Sequence, residues 1–326
     1  MSPTTMARKL QFDFITIDVF TQVRYTGNPL AVVKVPHSET LTQQQKQMIA
    51  REFNYSETVI LHETQEVGDN AQWKIDIFLT NAEIPFAGHP TVGTACFLGK
   101  QLLDSADGID QVNGTLITKA GPVPFAYMRQ SNIAQCEVPH DVHLHQRTLS
   151  AEDAQSVGLP RAVYESFVKK PPFVSLVKGV TFALVQLPTE DVLAAVPSNL
   201  GLLKSHNGLD KDWAAEGSTV GFFFFVKDGH TADGSTKLRT RMLLGSLEDP
   251  ATGSASSALA AYLALHEPDN GIESATRGVH EFHMVQGVEM GRRSEIGVEV
   301  IVEKDRINKI ILRGSAVSVM EGSLVI

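Results

Sequence analysis

Short stretches of alternating apolar and polar residues dominate the chain and predict β-strands. One amphipathic helix is predicted from Leu41 to about Phe53, where Thr42 and Gln45 have the spacing of a capping box. Further helices are predicted after Ser150 and Thr189. The predicted strands are 12–20, 30–35, 58–61, 73–79, 116–119, 123–128, 174–177, 182–187, 220–226, 238–244, 284–288, 296–303, 307–312 and 316–320. Alternating βα units with a parallel sheet are therefore not indicated.

Two helices interrupt this pattern, and both are apolar over their whole length. Residues 254–266 are rich in Ala and Leu and carry no charge before His266. Residues 92–98 form a shorter apolar segment that Gly99 is expected to close. Each follows a strand and a polar turn, one in each half of the chain, which suggests a duplication. The two turns are Pro85-Phe86-Ala87-Gly88-His89-Pro90-Thr91 and Glu248-Asp249-Pro250-Ala251-Thr252-Gly253-Ser254-Ala255.

The turn before the second helix allows two interpretations. It is an ordinary N-cap, with Asp249 or Thr252 as the capping residue, or it is an anion site. The first N–H groups of a helix lack partners and its dipole is positive at that end, so a ligand carboxylate or phosphate is favoured there. The second copy favours the anion site, because two such helix ends meeting at one cleft would bind an anion strongly.

Composition narrows the class of protein. With 326 residues, 43% hydrophobic and 20% charged, two globular domains are expected. The net charge of −9 argues against nucleic acid, and the longest apolar run, 220–226, is too short to span a membrane. Only Cys96 and Cys136 are present and no signal peptide is indicated, so a reducing, cytoplasmic location is expected. Glycine loops of nucleotide-binding type are missing from the sequence, and no cofactor is predicted.

Three side chains are candidates for acid–base chemistry. Glu57 lies between a turn and an apolar strand, where burial would raise its pKa; from position alone, a solvated glutamate is the preferred interpretation. His89, directly after Gly88, allows three interpretations: it contacts a bound anion, it acts as an acid, or it is a simple histidine at the cap position of the helix. Asp249 would repel an anion unless it is protonated or bound to an amine or hydroxyl of the ligand.

A histidine group at the boundary between the halves suggests a metal site. His140, His143 and His145 lie close together in the sequence. The carboxylate spacing of a hydrolytic zinc site does not accompany them, so a solvated connector is favoured and no metal is predicted.

Taken together, these motifs resemble the phenazine-biosynthesis PhzF-like family, within the diaminopimelate epimerase-like fold. The similarity covers nearly the whole chain. It rests on Asp18-Val19-Phe20-Thr21, Gly27-Asn28-Pro29-Leu30-Ala31-Val32, Ser56-Glu57-Thr58, both turns above, Gln286-Gly287 and Met290-Gly291-Arg292.

The resemblance implies an α+β fold of two pseudo-symmetric halves, each a barrel-like sheet around a central helix. We expect halves at 8–133 and 134–313, with the final strand, 314–326, completing the first. The resemblance also implies a cofactor-independent isomerase, usually a homodimer, acting on a small carboxylic acid in the cleft between the halves. The phenazine enzyme isomerises a dihydro-hydroxyanthranilate.

The resemblance also assigns roles to individual residues. Glu57 matches the proton shuttle, and His89 and Asp249 match residues that assist it. Substrate is expected to be held by Ser56, Gly88, Gly253 and Ser254. The chain departs from the two-cysteine epimerases of this fold, because Ala87 and Ala251 stand at the matching turn positions. Arg293 replaces an expected proline.

Two rival functions stay open at this stage. The chain could be a non-enzymatic metabolite sensor or interaction protein that retains the isomerase cleft. It could also be a histidine-dependent metalloenzyme. Retention of Glu57, His89 and Asp249 together favours the isomerase, because a cleft that only binds has no need of a proton carrier.

Overall fold

A computed structural model describes residues 10–64, 71–105, 108–204, 209–213, 219–266 and 278–326. The strands of the first half are β1 (Gln11–Val19), β2 (Asn28–Val35), β3 (Thr58–His62), β4 (Ala71–Phe78), β5 (Glu83–Ile84), β6 (Gln111–Thr118), β7 (Gly121–Met128) and β8 (Ile133–Glu137). Those of the second half are β9 (His143–Thr148), β10 (Pro172–Val177), β11 (Val180–Gln186), β12 (Leu203–Lys204), β13 (Thr219–His230), β14 (Thr236–Leu244), β15 (Leu247–Asp249), β16 (Gly278–Gln286), β17 (Ser294–Glu303) and β18 (Arg306–Val325). The helices are α1 (Gln43–Phe53), α2 (Gly88–Asp104), α3 (Ala151–Ser156), α4 (Arg161–Tyr164), α5 (Glu190–Ala194) and α6 (Gly253–His266).

Strand pairing follows the same order in both halves. In the first, β1–β2 is antiparallel, β2–β3 parallel, β3–β4 antiparallel and β4–β6 parallel, and β6, β7 and β8 then pair antiparallel. In the second, β10, β11, β13, β14, β16, β17 and β18 repeat this alternation of directions. The repeated pairing order agrees with a duplicated unit.

The two halves exchange strands at their junction. β8 pairs with residues 311–315 of β18, and β9, which follows β8, pairs with β10 of the second half. β18 then continues into the first half, where residues 316–325 pair with β1 along its whole length. The strands of the first half therefore close into a ring with β18, the first ring, and the strands of the second half form a sheet, the second sheet, which joins this ring through β18 and β8. The predicted boundaries of the two halves stay a prediction.

α2 lies inside the first ring, and α6 lies against the second sheet. α2 packs against β1, β6, β7, β8 and β18, and α6 packs against β10, β17 and β18. Both are buried almost all round, which explains why their sequences lack a polar face. Their small and apolar side chains join one continuous core with the strands around them. The position of each helix start is fixed by that packing.

Several local predictions are confirmed. Thr42 and Gln45 form the predicted capping box of α1, Ser150 forms one at α3, and Thr189 caps α5. α1 covers the outside of the first ring. Beneath it, Lys46 Nζ lies 2.5 Å from the Asp76 carboxylate. Among the described residues, none of the helices has both the length and the apolar character that a membrane crossing requires.

Three local predictions are wrong. α2 does not end before Gly99 but continues to Asp104. Gly99 is a packing residue inside the helix, because a side chain there would clash with Tyr127. The strands predicted at 307–312 and 316–320 are one continuous strand, β18. The strands β5, β8, β9, β12 and β15 and the helix α4 match no predicted element. β5 and β15 pair back onto β4 and β14 just before the central helices, so each polar turn is partly a hairpin.

Candidate active site

The first turns of the two central helices meet at one point between the halves. A Cβ atom added at Gly88 would lie 3.0 Å from the Cα of Gly253, and one added at Gly253 would lie 3.1 Å from the Cα of Gly88. Leu312 packs against both positions. Glycine is therefore required here by close approach of two backbones. The positive ends of two helix dipoles thus adjoin, as an anion site between the halves requires.

Both helix starts are held by the hairpins that precede them. The Glu248 carboxylate accepts from Arg241 Nε at 2.8 Å and from Nη2 at 3.0 Å, across the β14–β15 pair. In the first half, Glu83 accepts from Gln43 and Lys119, each at 3.0 Å. The two glutamates therefore stabilise the turns by hydrogen bonds, and Asp249 is left beside the junction.

Glu57 lies directly before β3, beside the start of α2. Its Oε2 is 3.5 Å from His89 Nδ1, and its side chain is only 16% exposed. The solvated interpretation drawn from its position alone is therefore wrong. Burial raises the pKa of Glu57 to about 7 and lowers the pKa of His89 to about 4. At neutral pH the imidazole is uncharged, and the carboxyl group can either give or take a proton.

Asp249 lies on the second half, at the end of β15. Its Oδ1 accepts from Asn28 Nδ2 at 2.7 Å, and its Oδ2 accepts from Thr252 Oγ1 at 2.6 Å. Burial raises the pKa of Asp249 to about 6, and the negative charge of Glu57 adds to that rise. Two donors thus hold this carboxylate beside the helix ends, which accounts for a buried acid at that place.

Two amide side chains of the site had no role assigned from the sequence. Gln286 donates to the Asp249 carbonyl at 2.7 Å and accepts from the Thr252 N–H at 3.2 Å. Asn28 donates to Asp249 and, at 2.9 Å, to the Ala251 carbonyl. Both amides are buried, Asn28 with 1% exposure and Gln286 with none. The available signal was a polar residue at the end of an apolar strand, next to a glycine.

The predicted substrate-binding residues surround the same junction. Ser56 adjoins Glu57, and Ser254 is the second residue of α6. Ser56 Oγ and His89 Nε2 are buried, and among the described residues neither makes a hydrogen bond of good geometry, although Ser56 acts on the Glu57 carboxylate and the Pro29 backbone acts on His89. Buried polar atoms usually have partners, so these two are candidates for ligand contacts. The roles of Ser56, Gly88, Gly253 and Ser254 stay predictions.

The cysteines lie away from the two turns. Cys96 is inside α2, where its Sγ donates to the Gly314 carbonyl at 3.5 Å. Burial raises the pKa of Cys96 to about 12, so the thiol holds its proton at neutral pH. The turn positions themselves are occupied by Ala87 and Ala251. The geometry therefore agrees with a site that uses carboxyl groups and imidazole in place of paired thiols.

The histidine group is not a solvated connector. His143 and His145 lie on β9, and their ligand atoms are within 4.8 Å of those of Asp210. His143 Nε2 is 2.7 Å from Asp210 Oδ2. The buried His145 is already hydrogen bonded at both nitrogens, to Ser175 Oγ at 2.9 Å and from the Asp210 N–H at 3.1 Å. We therefore assign this cluster to hydrogen bonding at the β9 edge of the second sheet.

Comparisons with known proteins agree with this geometry. A family model described as phenazine biosynthesis-like protein matches residues 17–322. An uncharacterised isomerase of Mesorhizobium japonicum is 33% identical over 96% of this chain and 99% of its own length. A trans-2,3-dihydro-3-hydroxyanthranilate isomerase of Pseudomonas fluorescens is 28% identical, again over 96% and 99%. The crystal structure of a PhzF-family protein from Bacillus anthracis has a TM-score of 0.74, with 21% identity and coverage of 97% and 100%. The predicted fold class is confirmed.

Proposed function

The chain belongs to the phenazine biosynthesis-like protein family and is an isomerase, and we propose that it moves a proton on a small amino or hydroxy carboxylic acid. In this proposal the substrate lies between the two halves, no cofactor takes part, and Glu57 carries the proton. The observation that carries the proposal is the buried Glu57 carboxyl group, poised near neutral pH beside two adjoining helix N-termini.

Each part of the cleft has a role in the proposed reaction. The helix ends stabilise the substrate carboxylate and the negative charge that develops when a C–H bond breaks. Glu57 takes the proton from one carbon as a carboxylate and returns it to another carbon as a carboxylic acid, so the enzyme ends unchanged. Asp249 accepts a hydrogen bond from a substrate amine or hydroxyl. His89, uncharged at neutral pH, contacts the substrate beside Glu57.

The substrate class follows from charge and from one relative. The adjoining helix N-termini favour a carboxylate, and the Asp249 carboxylate favours a neighbouring donor group on the same molecule. The name of the Pseudomonas fluorescens relative denotes a hydroxylated anthranilate, an amino acid of this general class. This supports the class and does not name the compound. The homodimer and the cytoplasmic location expected from the sequence stay predictions.

The proposal is tested by hydrogen exchange without choosing a substrate in advance. Wild-type protein, Glu57→Gln and the control Glu52→Gln, on the exposed side of α1, are incubated with metabolite extract in deuterated water. We expect wild type and Glu52→Gln to place deuterium on the same small carboxylic acids. Glu57→Gln should lose at least about 99% of the labelling rate, since removing a general base commonly costs 10²–10⁴-fold.

Two outcomes would contradict the proposal. Equal labelling by Glu57→Gln would remove Glu57 from the proton transfer. Wild-type protein that binds an acid from the extract but labels none would instead support a metabolite-sensing protein. Ligand affinity measured on Glu57→Gln separates lost chemistry from lost binding, because the isosteric amide keeps the shape of the cleft.

A further inference from the structure

We propose that Asn28 is a positioning residue, which holds the Asp249 carboxylate of the opposite half in place and keeps it a hydrogen-bond acceptor for the substrate. This inference deepens the proposed function and rests on it for the role of Asp249. Asn28 begins β2 in the first half, yet both short hydrogen bonds of its amide reach the second half, to Asp249 and to Ala251.

The number of protons on the amide decides which contacts are hydrogen bonds. The Asn28 nitrogen carries two hydrogens and has three neighbours that can accept. Asp249 Oδ1 is at 2.7 Å and the Ala251 carbonyl is at 2.9 Å, whereas His89 Nδ1 is at 3.5 Å. The two short bonds use both hydrogens. His89 Nδ1 is therefore not a hydrogen-bond partner of the Asn28 amide, and it lies at the same distance, 3.5 Å, from Glu57 Oε2.

The orientation of the amide is fixed by the same contacts. Turning it over would place Asn28 Oδ1 against the Asp249 carboxylate and the Ala251 carbonyl, and all three oxygens are acceptors. In the observed orientation Oδ1 is buried and has no hydrogen-bond partner among the described residues. The oxygen of this side chain thus has no partner, while its nitrogen makes two hydrogen bonds across the junction. This arrangement indicates a role in positioning.

The backbone before Asn28 is also tied to the second half. Gly27 has φ +69°, and a Cβ atom there would clash with the Val19 carbonyl. The Gly27 carbonyl accepts from Arg292 Nε at 2.8 Å, and its N–H donates to the Arg293 carbonyl at 3.1 Å. Asn28 therefore enters the junction at a position that the opposite half sets.

Loss of the Asn28 donor would change the chemistry of Asp249. The titratable groups that act on this carboxylate are Glu57, whose charge favours protonation, and His89, which opposes it. Thr252 and Asn28 donate to its ionised form. Without Asn28, one oxygen loses its donor while the burial and the Glu57 charge remain. Asp249 would then hold a proton at higher pH and would donate where the substrate needs an acceptor.

The test is a titration of Asp249 in the unliganded protein. Protein labelled with ¹³C at the aspartate side-chain carboxyl is titrated by NMR, and the Asp249 signal is assigned by its loss in Asp249→Asn. We expect Asn28→Ser to move the Asp249 midpoint upward by about one pH unit, the value of one hydrogen bond to a charged group. Asn28→Asp, which keeps the shape, should give two carboxyl groups that share a proton and titrate in two separated steps.

A matched control separates positioning from general loosening. Glu248→Gln weakens the ion pair with Arg241 in the same hairpin without touching the Asp249 carboxylate, and should leave its midpoint unchanged. An unchanged midpoint in Asn28→Ser, or a single unshifted step in Asn28→Asp, would overturn the proposal. If Asn28→Ser does not fold, the isosteric Asn28→Asp decides. Because the titration needs no substrate, its failure is distinct from retained turnover in Glu57→Gln.

Discussion

Replacing Glu57 by Gln should stabilise the protein at neutral and alkaline pH although it abolishes the proposed proton transfer. Burial raises the pKa of Glu57 from 4.5 to about 7, so the folded protein resists the charged form that the unfolded chain takes up freely. A rise of about 2.5 pH units corresponds to roughly 3 kcal/mol of lost stability, at about 1.4 kcal/mol per unit. Gln carries no charge at any pH and avoids this loss.

The pH window of the effect follows from the direction of this change. Below the unfolded pKa of Glu57 both states are protonated, and wild type and variant should differ little on this account. Between 4.5 and about 7 the folded protein binds more protons than the unfolded chain, so wild-type stability falls as pH rises. Above about pH 7 the free energy of unfolding of Glu57→Gln exceeds that of wild type by a constant amount, roughly 3 kcal/mol. Asp249 adds in the same direction, because the Glu57 charge raises its pKa.

The measurement is urea unfolding at pH 4 and pH 8, followed by circular dichroism, for wild type, Glu57→Gln and Glu52→Gln. We expect the free energy of unfolding of Glu57→Gln to exceed that of wild type at pH 8 and to approach it at pH 4. The exposed Glu52 should give no such pH-dependent gain. The free energies of unfolding of Glu57→Gln and wild type could instead differ by the same amount at both pH values. Burial would then not destabilise the ionised carboxyl group, and the argument for its reactivity would fail.

Two further changes test the fold around the site. Asp76→Asn should lower the free energy of unfolding by about 3–5 kcal/mol, because Lys46, with 8% exposure, would keep its charge without the carboxylate 2.5 Å away. Thermal unfolding, with the surface variant Asp13→Asn as the control, would measure this loss. A loss below about 1 kcal/mol would contradict the prediction. Gly253→Ala should lower the free energy of unfolding by about 1–3 kcal/mol, since its methyl group would lie 2.7 Å from Leu312 Cδ2 and 3.1 Å from Gly88 Cα. If Gly253→Ala and the control Ser254→Ala unfold at the same temperature, the two helix ends can move apart without loss of stability.

Local signals in the sequence predicted local structure well. The capping box at Thr42 and the helix start after Ser150 are correct because the bonds of both caps join residues three positions apart. Gly99 misled the prediction for the opposite reason. A glycine inside a helix has the same sequence signature as one that ends it, and only its distant neighbour Tyr127 shows that it serves packing. Two- and three-residue strands such as β5 and β15 are too short to show any period.

The candidate site was predictable in part. Glu57, His89 and Asp249 were identified through the family resemblance, and the structure brings Glu57 to His89 and Asn28 to both His89 and Asp249. Position alone gave the wrong environment for Glu57, because its surroundings include residues distant in the sequence, such as His89 at 3.5 Å. The sequence assigns Asn28 no role of its own, since its partner Asp249 lies 221 residues away and no local pattern reports such a contact.

The exchange of strands between the halves constrains how the chain can be made. The first ring includes residues 316–325, which pair with β1 at the other end of the sequence. During synthesis, the first ring therefore stays open beside β1 until residues 316–325 have been translated. Contacts between such distant residues also slow folding, because a long loop must close before they form. Removing residues 316–325 would leave β1 without one of its two partner strands and would open the ring of the first half.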